Sequence, residues 1–258
     1  MSAAGVGDAV PVRDAATVVL LRDGAAGLET WLLTRVSQMT FAAGMSVFPG
    51  GRVEDADAQL PFAGPASGLA GRFDCPETLA RALLGAAVRE TFEETGVLLT
   101  VPSVDLAHRR AAIEAGEVPF GRLLREHGLL VDPDALRPWG RWVTPAGETR
   151  RYDTRFFVAA LPSGARAADV TSESSAASWV GVVEALAQAR RGDRMLLPPT
   201  AVTLASLAPF SSVAAVLAAS AQRDLAAVRP RFRRLDDGSL AVALPDGTTV
   251  AVPRQVHQ

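Results

Sequence analysis

Three glutamates, Glu90, Glu93 and Glu94, fall within the stretch Arg89-Glu90-Thr91-Phe92-Glu93-Glu94-Thr95-Gly96-Val97. On a helix they stand at i, i+3 and i+4, so their carboxylates leave one face while Val88 and Phe92 give the other side an apolar surface. Like charges at this spacing cost a helix roughly a few tenths of a kcal/mol per pair. Folding gives no reason to collect them, whereas a bound divalent cation does. Hard cations take oxygen ligands, and magnesium keeps one or two carboxylates and fills its other positions with water and phosphate oxygens. Arg89, four residues before Glu93, can pair with it and hold its rotamer. A solvated acidic helix face would show the same pattern, and Glu-x-x-Glu-Glu alone leaves both readings open.

The elements that must position these residues are legible nearby. Leu84 and Val88 supply a core face at helical spacing, Asp74-Cys75-Pro76-Glu77 reads as a capping box with Pro just inside the helix start, and Gly96 is placed to stop it. Upstream, Ala16–Arg22 and Leu28–Arg35 read as strands joined by a Gly-containing turn, and Gly44–Gly51 is a short apolar piece ending in Pro-Gly-Gly. Residues 52–73 look loop-like. Downstream the pattern predicts two short helices within 104–127, strands at 141–144, 151–161 and 178–180, and helices at 182–190, 199–207 and 211–227. A β-ribbon is expected around Asp236-Asp237-Gly238 and Pro245-Asp246-Gly247. The organisation expected is a flexible lead over 1–13, one domain over 14–228 with an insertion at about 58–73, and a ribbon or tail over 229–258.

Composition narrows the function classes. The 258 residues, 48% apolar and 21% charged, suit one α/β domain with appendages rather than a disordered chain. A net charge of −2 argues against a nucleic-acid or anionic-membrane binder. All 26 basic residues are Arg, so any phosphate must be held by guanidinium forks or backbone amides. Cys75 is the sole cysteine, which rules out an intrachain disulfide and a zinc-thiolate cluster. The first residues lack the apolar core of a secretory signal and no apolar run reaches membrane length, so a cytoplasmic enzyme without membrane or nucleic-acid partners is expected. Gly-x-Ser-x-Gly is absent and none of the three histidines lies by a nucleophile-elbow serine, which sets aside a Ser-His-Asp hydrolase.

Two segments combine into a larger pattern. Phe48-Pro49-Gly50-Gly51 leads through five residues to Asp57, and the helix then supplies Arg89, Glu90, Glu93, Glu94, Gly96 and Val97. Together these resemble the Nudix box, in which a Gly, five residues and a Glu precede Arg-Glu-U-x-Glu-Glu-x-Gly-U, where U is apolar. Asp57 replaces the first Glu, Thr91 occupies a usually aliphatic position, and 31 residues separate Asp57 from Arg89 where the short box has seven. An interrupted box resembles the coenzyme A diphosphatase branch typified by the peroxisomal enzyme. The likeness covers most of 15–210, including Met39–Met45, Trp142-Val143-Thr144-Pro145, Arg151–Phe157 and Leu197-Pro198-Pro199-Thr200. Leu32-Leu33-Thr34 and Gly44–Gly51 match part of a second, coenzyme A-directed signature, with Arg35 one place early and Thr40 in place of an Arg.

The resemblance implies an α/β/α sandwich around a mixed sheet, with extra C-terminal helices and a terminal β-ribbon. It implies a diphosphatase that needs Mg²⁺ or Mn²⁺ and acts on a small nucleotide diphosphate. Coenzyme A or acyl-coenzyme A, cleaved to 3′,5′-ADP and the 4′-phosphopantetheine, is the favoured substrate. ADP-ribose, NADH or a damaged nucleoside triphosphate is the alternative, as is a Nudix module that senses a nucleotide without turnover. Glu90, Glu93, Glu94 and Asp57 are the expected metal ligands, and Glu93, Glu94 and Glu173 the expected catalytic carboxylates. Glu173, six residues before Trp179, resembles an acid that Nudix enzymes place on a loop before the final strand; a solvated loop Glu fits equally. Arg35, Gly50, Gly51, Arg52 and Arg151 are expected to hold phosphate, with surface ion pairing the competing account of each arginine. A homodimer is compatible with the family.

Overall fold

Side chains along the first strand divide between two apolar clusters. Ala16, Val18 and Leu20 enter one, Val19 and Leu21 the other, and this period of two makes the strand the floor between two layers. The structure, a computed structural model, describes residues 10–25, 27–35, 44–146, 148–168, 174–234, 240–243 and 249–251. In chain order come β1 (Val12–Gly24), β2 (Gly27–Arg35), β3 (Ser46–Val47), β4 (Gly50–Arg52), α1 (Ser67–Phe73), α2 (Glu77–Thr95), β5 (Thr100–Val101), α3 (Arg110–Glu114), α4 (Phe120–Glu126), β6 (Leu130–Val131), β7 (Arg137–Val143) and β8 (Arg151–Ala160). There follow β9 (Ser174–Gly181), α5 (Val182–Arg191), α6 (Pro198–Leu207), α7 (Val213–Ser220), β10 (Arg231–Arg234), β11 (Leu240–Ala243) and β12 (Thr249–Ala251).

The main sheet runs β3-β2-β1-β8-β7, with β4 paired to β1 and β9 to β2. It is mixed: β1 and β8 are parallel from Val12↔Arg151 to Leu21↔Ala160, while β1 with β2, β1 with β4 and β7 with β8 are antiparallel. The buried side of α2, with Leu84, Val88 and Phe92, packs on one sheet face together with Phe73 of α1 and Leu123 and Leu124 of α4. Val182 and Ala185 of α5, Leu204 of α6 and Val216 of α7 cover the other face. The result is the expected α/β/α sandwich. No helix of the described residues is long and apolar enough to cross a membrane.

Several expectations are corrected. Residues 52–73 are not a featureless loop: a 3₁₀ turn at Asp57–Gln59 and helix α1 lie within them. Asp74 does not cap α2. It closes α1 in the left-handed region at φ 48°, while Pro76 precedes α2 with extended backbone and no side-chain cap. The Glu77 carboxylate instead accepts the Ala66 amide at 3.1 Å, tying the start of α2 to the entry of α1. Helix α7 is shorter than the 211–227 expected, and Ser212 caps it by accepting the Ala215 amide. The ribbon strands β10–β12 form a separate sheet; the two turns predicted between them lie outside the described residues.

Candidate active site

Strand β4 and the last two turns of α2 build the site. Gly50 and Gly51 pair with Thr17 and Ala16 of β1, which lays the Gly-Gly backbone alongside the carboxylate face of α2. Gly51 has no room for a Cβ, because the Glu90 carboxylate occupies that space. Glu94 turns to the same strand and its Oε2 accepts the Gly50 amide at 2.8 Å.

Arg89 is the hub. Its Nε and Nη2 donate to the two Asp57 oxygens at 2.8 and 3.0 Å, a fork-to-fork pair across 32 positions of sequence. Nη2 also reaches the Arg52 carbonyl at 3.0 Å, while Nη1 reaches Glu90 at 2.8 Å and Glu93 at 3.2 Å. The Asp57 side chain is 1% exposed, and its Oδ2 also accepts the Glu54 amide at 2.8 Å. Both its oxygens are engaged in closing the interrupted motif, with Asp57 on one side of the interval and Arg89 on the other.

Burial pushes the Glu93 carboxyl up to about 7; the Arg89 charge opposes this and the Glu90 charge adds to it. Burial also raises Glu90, again against the pull of Arg89. Burial works against the Arg89 charge too, yet its hydrogen bond with Asp57 and the charges of Glu90, Asp57 and Glu93 outweigh that, holding the guanidinium above its ordinary pKa. Three half-buried to buried carboxylates around one guanidinium leave the site with surplus negative charge. That surplus, and a donor set made only of carboxylate oxygen, fits a hard divalent cation. The rotamers are set otherwise. Among the described residues no three His, Cys, Asp or Glu side chains converge on one point, because Arg89 draws in Glu90 and Glu93 while Gly50 holds Glu94.

Two of the arginines expected to grip phosphate have their side chains described. Arg52 is exposed and pairs with Glu54 at 3.2 Å. Arg151 lies across β1 from β4 and donates to the Thr144 and Val10 carbonyls at 3.3 and 3.4 Å. Glu173, the Arg35 side chain and the Thr40 segment lie outside the described residues. Two residues of the site went unread in the sequence. Gly85 lets the 3₁₀ turn lie flat on α2, since a Cβ there would meet the Asp57 carbonyl. Arg110 donates to the Glu93 carbonyl at 2.7 Å. Its spacing to Glu114 was visible as an i,i+4 pair, but its reach to α2 was not.

The chain is similar to known proteins. A family model described as the NUDT19 Nudix domain matches residues 70–207. The acyl-coenzyme A diphosphatase NUDT19 of Gallus gallus is 29% identical over 262 residues, covering 78% of this chain and 69% of that protein. The Xenopus laevis protein of the same name is 26% identical, and the aligned part spans 61% of its length. The crystal structure of a Nudix hydrolase from Alicyclobacillus acidocaldarius superposes with a TM-score of 0.68 at 27% identity, covering 81% of this chain and 96% of that one. With more than half of its length matched by the family model, and with the split box closed in space by Arg89 and Asp57, the chain belongs to the NUDT19 branch of the Nudix hydrolases.

Proposed function

We propose that the chain hydrolyses the diphosphate of coenzyme A or an acyl-coenzyme A, yielding 3′,5′-ADP and the (acyl-)4′-phosphopantetheine. The observation that carries this reading is the Arg89–Asp57 fork. It restores across a 31-residue interval the geometry that presents Glu90, Glu93 and Glu94 beside the Gly50-Gly51 backbone. The names of the chicken and frog relatives supply the substrate class.

Glu90, Glu93 and Glu94 would hold Mg²⁺ or Mn²⁺. A cation bound there draws charge from the diphosphate oxygens and brings the pKa of a coordinated water towards neutrality. The chain's own residues do the rest. Water adds to one phosphorus, the bridging P–O bond breaks, and two phosphomonoesters leave. Glu94 or Glu173 takes the proton of the attacking water. Arg89 keeps Glu90 and Glu93 from swinging into solvent, and Arg35, Arg52 or Arg151 meet phosphate oxygens beside the Gly50-Gly51 backbone.

A substrate panel with product chromatography tests the proposal. Coenzyme A and acyl-coenzyme A should turn over with Mg²⁺ or Mn²⁺ present and stop with chelator, and Glu94→Gln should lose roughly 100-fold or more in kcat while remaining folded. Turnover of ADP-ribose, NADH or 8-oxo nucleoside triphosphates with coenzyme A inert would move the substrate elsewhere in the superfamily. A folded protein that binds nucleotides and cleaves none of them would make it a sensing module.

A further inference from the structure

Helix α2 ends in an unfavourable way for a helix. Its last turn holds two acids, Glu93 and Glu94, and no basic residue, so negative side chains sit at the negative end of the helix dipole. The terminal carbonyls find partners from elsewhere in the chain. Phe92 O accepts the Gly96 amide at 2.8 Å, where the chain turns at φ 74°, and Thr95 O accepts the Ala168 amide at 2.9 Å. Among the described residues a charged donor comes from α3: Arg110 Nη1 reaches Glu93 O at 2.7 Å. The Arg110 side chain is 8% exposed, and Glu114 Oε2, 2.8 Å from the same nitrogen, fixes its direction. An arginine so buried has given up most of its hydration, and Nη1 is shared between this helix end and Glu114.

We infer that Arg110 is a positioning residue for the carboxylate helix: it supplies from α3 the C-terminal cation that α2 lacks and fixes the turn from which Glu93 and Glu94 project. This role extends the diphosphatase reading above and rests on it only where activity is concerned. The segment 104–127 plays no part in the Nudix box pattern, and Arg110 is its one described contact with the carbonyl of a box glutamate. Through that contact, movement of α3 becomes movement of the site. Losing it frees the last turn to fray, since helix ends open most readily.

The test uses the full chain with Arg110→Ala, Arg110→Gln and Arg110→Lys, and Arg122→Ala, from an exposed ion pair on α4, as the control. For the Ala and Gln variants kcat should fall by about 10- to 100-fold, the range typical when a group that orients metal-binding carboxylates is removed, with KM changed by less than about three-fold. Mn²⁺ uptake followed by titration calorimetry should weaken, and hydrogen exchange at Gly96 and Val97 should quicken while exchange in the first turns of α2 stays put. Lys should recover most of each property, and the control should match wild type. Should Arg110→Ala not fold, Gln and Lys carry the same comparison. Wild-type exchange at Gly96 and wild-type Mn²⁺ uptake in the Gln variant would overturn the inference. Wild-type protein inert on every diphosphate would instead sink the diphosphatase reading, and the exchange and Mn²⁺ measurements would still decide the role of Arg110.

Discussion

Arg89 makes five hydrogen bonds, four to carboxylate oxygens of Asp57, Glu90 and Glu93 and one to the Arg52 carbonyl. A guanidinium is suited to this because its five N–H groups lie in one plane and its charge persists at any physiological pH. With the surplus of acids around it, Glu93 holds its proton up to about pH 7 and Glu90 also above the usual carboxylate range, burial being the main cause in both. A carboxyl raised in the folded state binds more protons there than in the unfolded chain, so its contribution to stability is complete at low pH and declines as pH climbs through the folded value. In chelator, the midpoint of thermal unfolding should therefore drop between pH 5 and pH 8; adding Mg²⁺ at pH 8 should restore it, and Mg²⁺ binding at pH 6 should release protons. A flat or rising profile in chelator would show that Glu93 is ionised throughout. At this scale the sequence was informative about identity and poor about assignment. The three glutamates and Arg89 were plain from their spacing, whereas the pairing of Asp57 with Arg89 across the interval was not. Which of two neighbouring acids faces a guanidinium and which faces a ligand depends on tertiary packing, and no periodicity encodes that.

The 3₁₀ turn at Asp57–Gln59 lies directly against helix α2 at Gly85. A glycine within a helix costs about 1 kcal/mol relative to alanine, so Gly85→Ala would ordinarily stabilise α2. Here the added methyl collides with the Asp57 carbonyl and carbonyl carbon, atoms of the main chain that cannot swing aside. The variant should instead lose roughly 1–3 kcal/mol and, because Asp57 is displaced from Arg89, most of its activity. Denaturant unfolding and kcat measured on the same sample check this; a more stable, fully active variant would disprove the close fit. The elements with long runs of pattern, β1, β2, β8 and α2, were readable ahead of the structure. The 3₁₀ turn and α1 were not, because Ser67–Phe73 carries two glycines within seven residues and buries only Ala70 and Phe73, too little for a 3.6-residue period to declare itself. The misread capping box has a similar origin: Asp74 and Glu77 have the right spacing, but Asp74 is spent on ending α1.

On the scale of the whole molecule, the interval inside the box is part of the core. Leu60, Ala66, Ala70 and Phe73 are buried in the same cluster as α2, and Phe73 meets Phe157 of β8 edge-on at 5.9 Å. Arg72 then ties this side of the sheet to the other, donating to the Ser220 and Arg223 carbonyls at 3.2 and 2.9 Å around the β7 edge, where a cleft of about 840 Å³ opens between α1 and α7. Removing that clasp with Arg72→Ala should cost about 1–3 kcal/mol, the penalty for losing hydrogen bonds from a charged donor, and leave kcat near wild type because neither β4 nor Arg89 depends on it. A large loss of activity without a fall in melting temperature would place Arg72 in the catalytic pathway instead.

The parallel pairing of β1 with β8 joins residue 12 to residue 151 and residue 21 to residue 160. On a ribosome the strand at the middle of the sheet is therefore made well ahead of its parallel neighbour, which follows almost 140 positions later, at a pace of about 5–20 residues per second. For those seconds the nascent strand presents Val18, Val19, Leu20 and Leu21 with one hydrogen-bonding edge unmatched. The acidic helix, although already synthesised, has no completed floor to rest on until that late strand arrives.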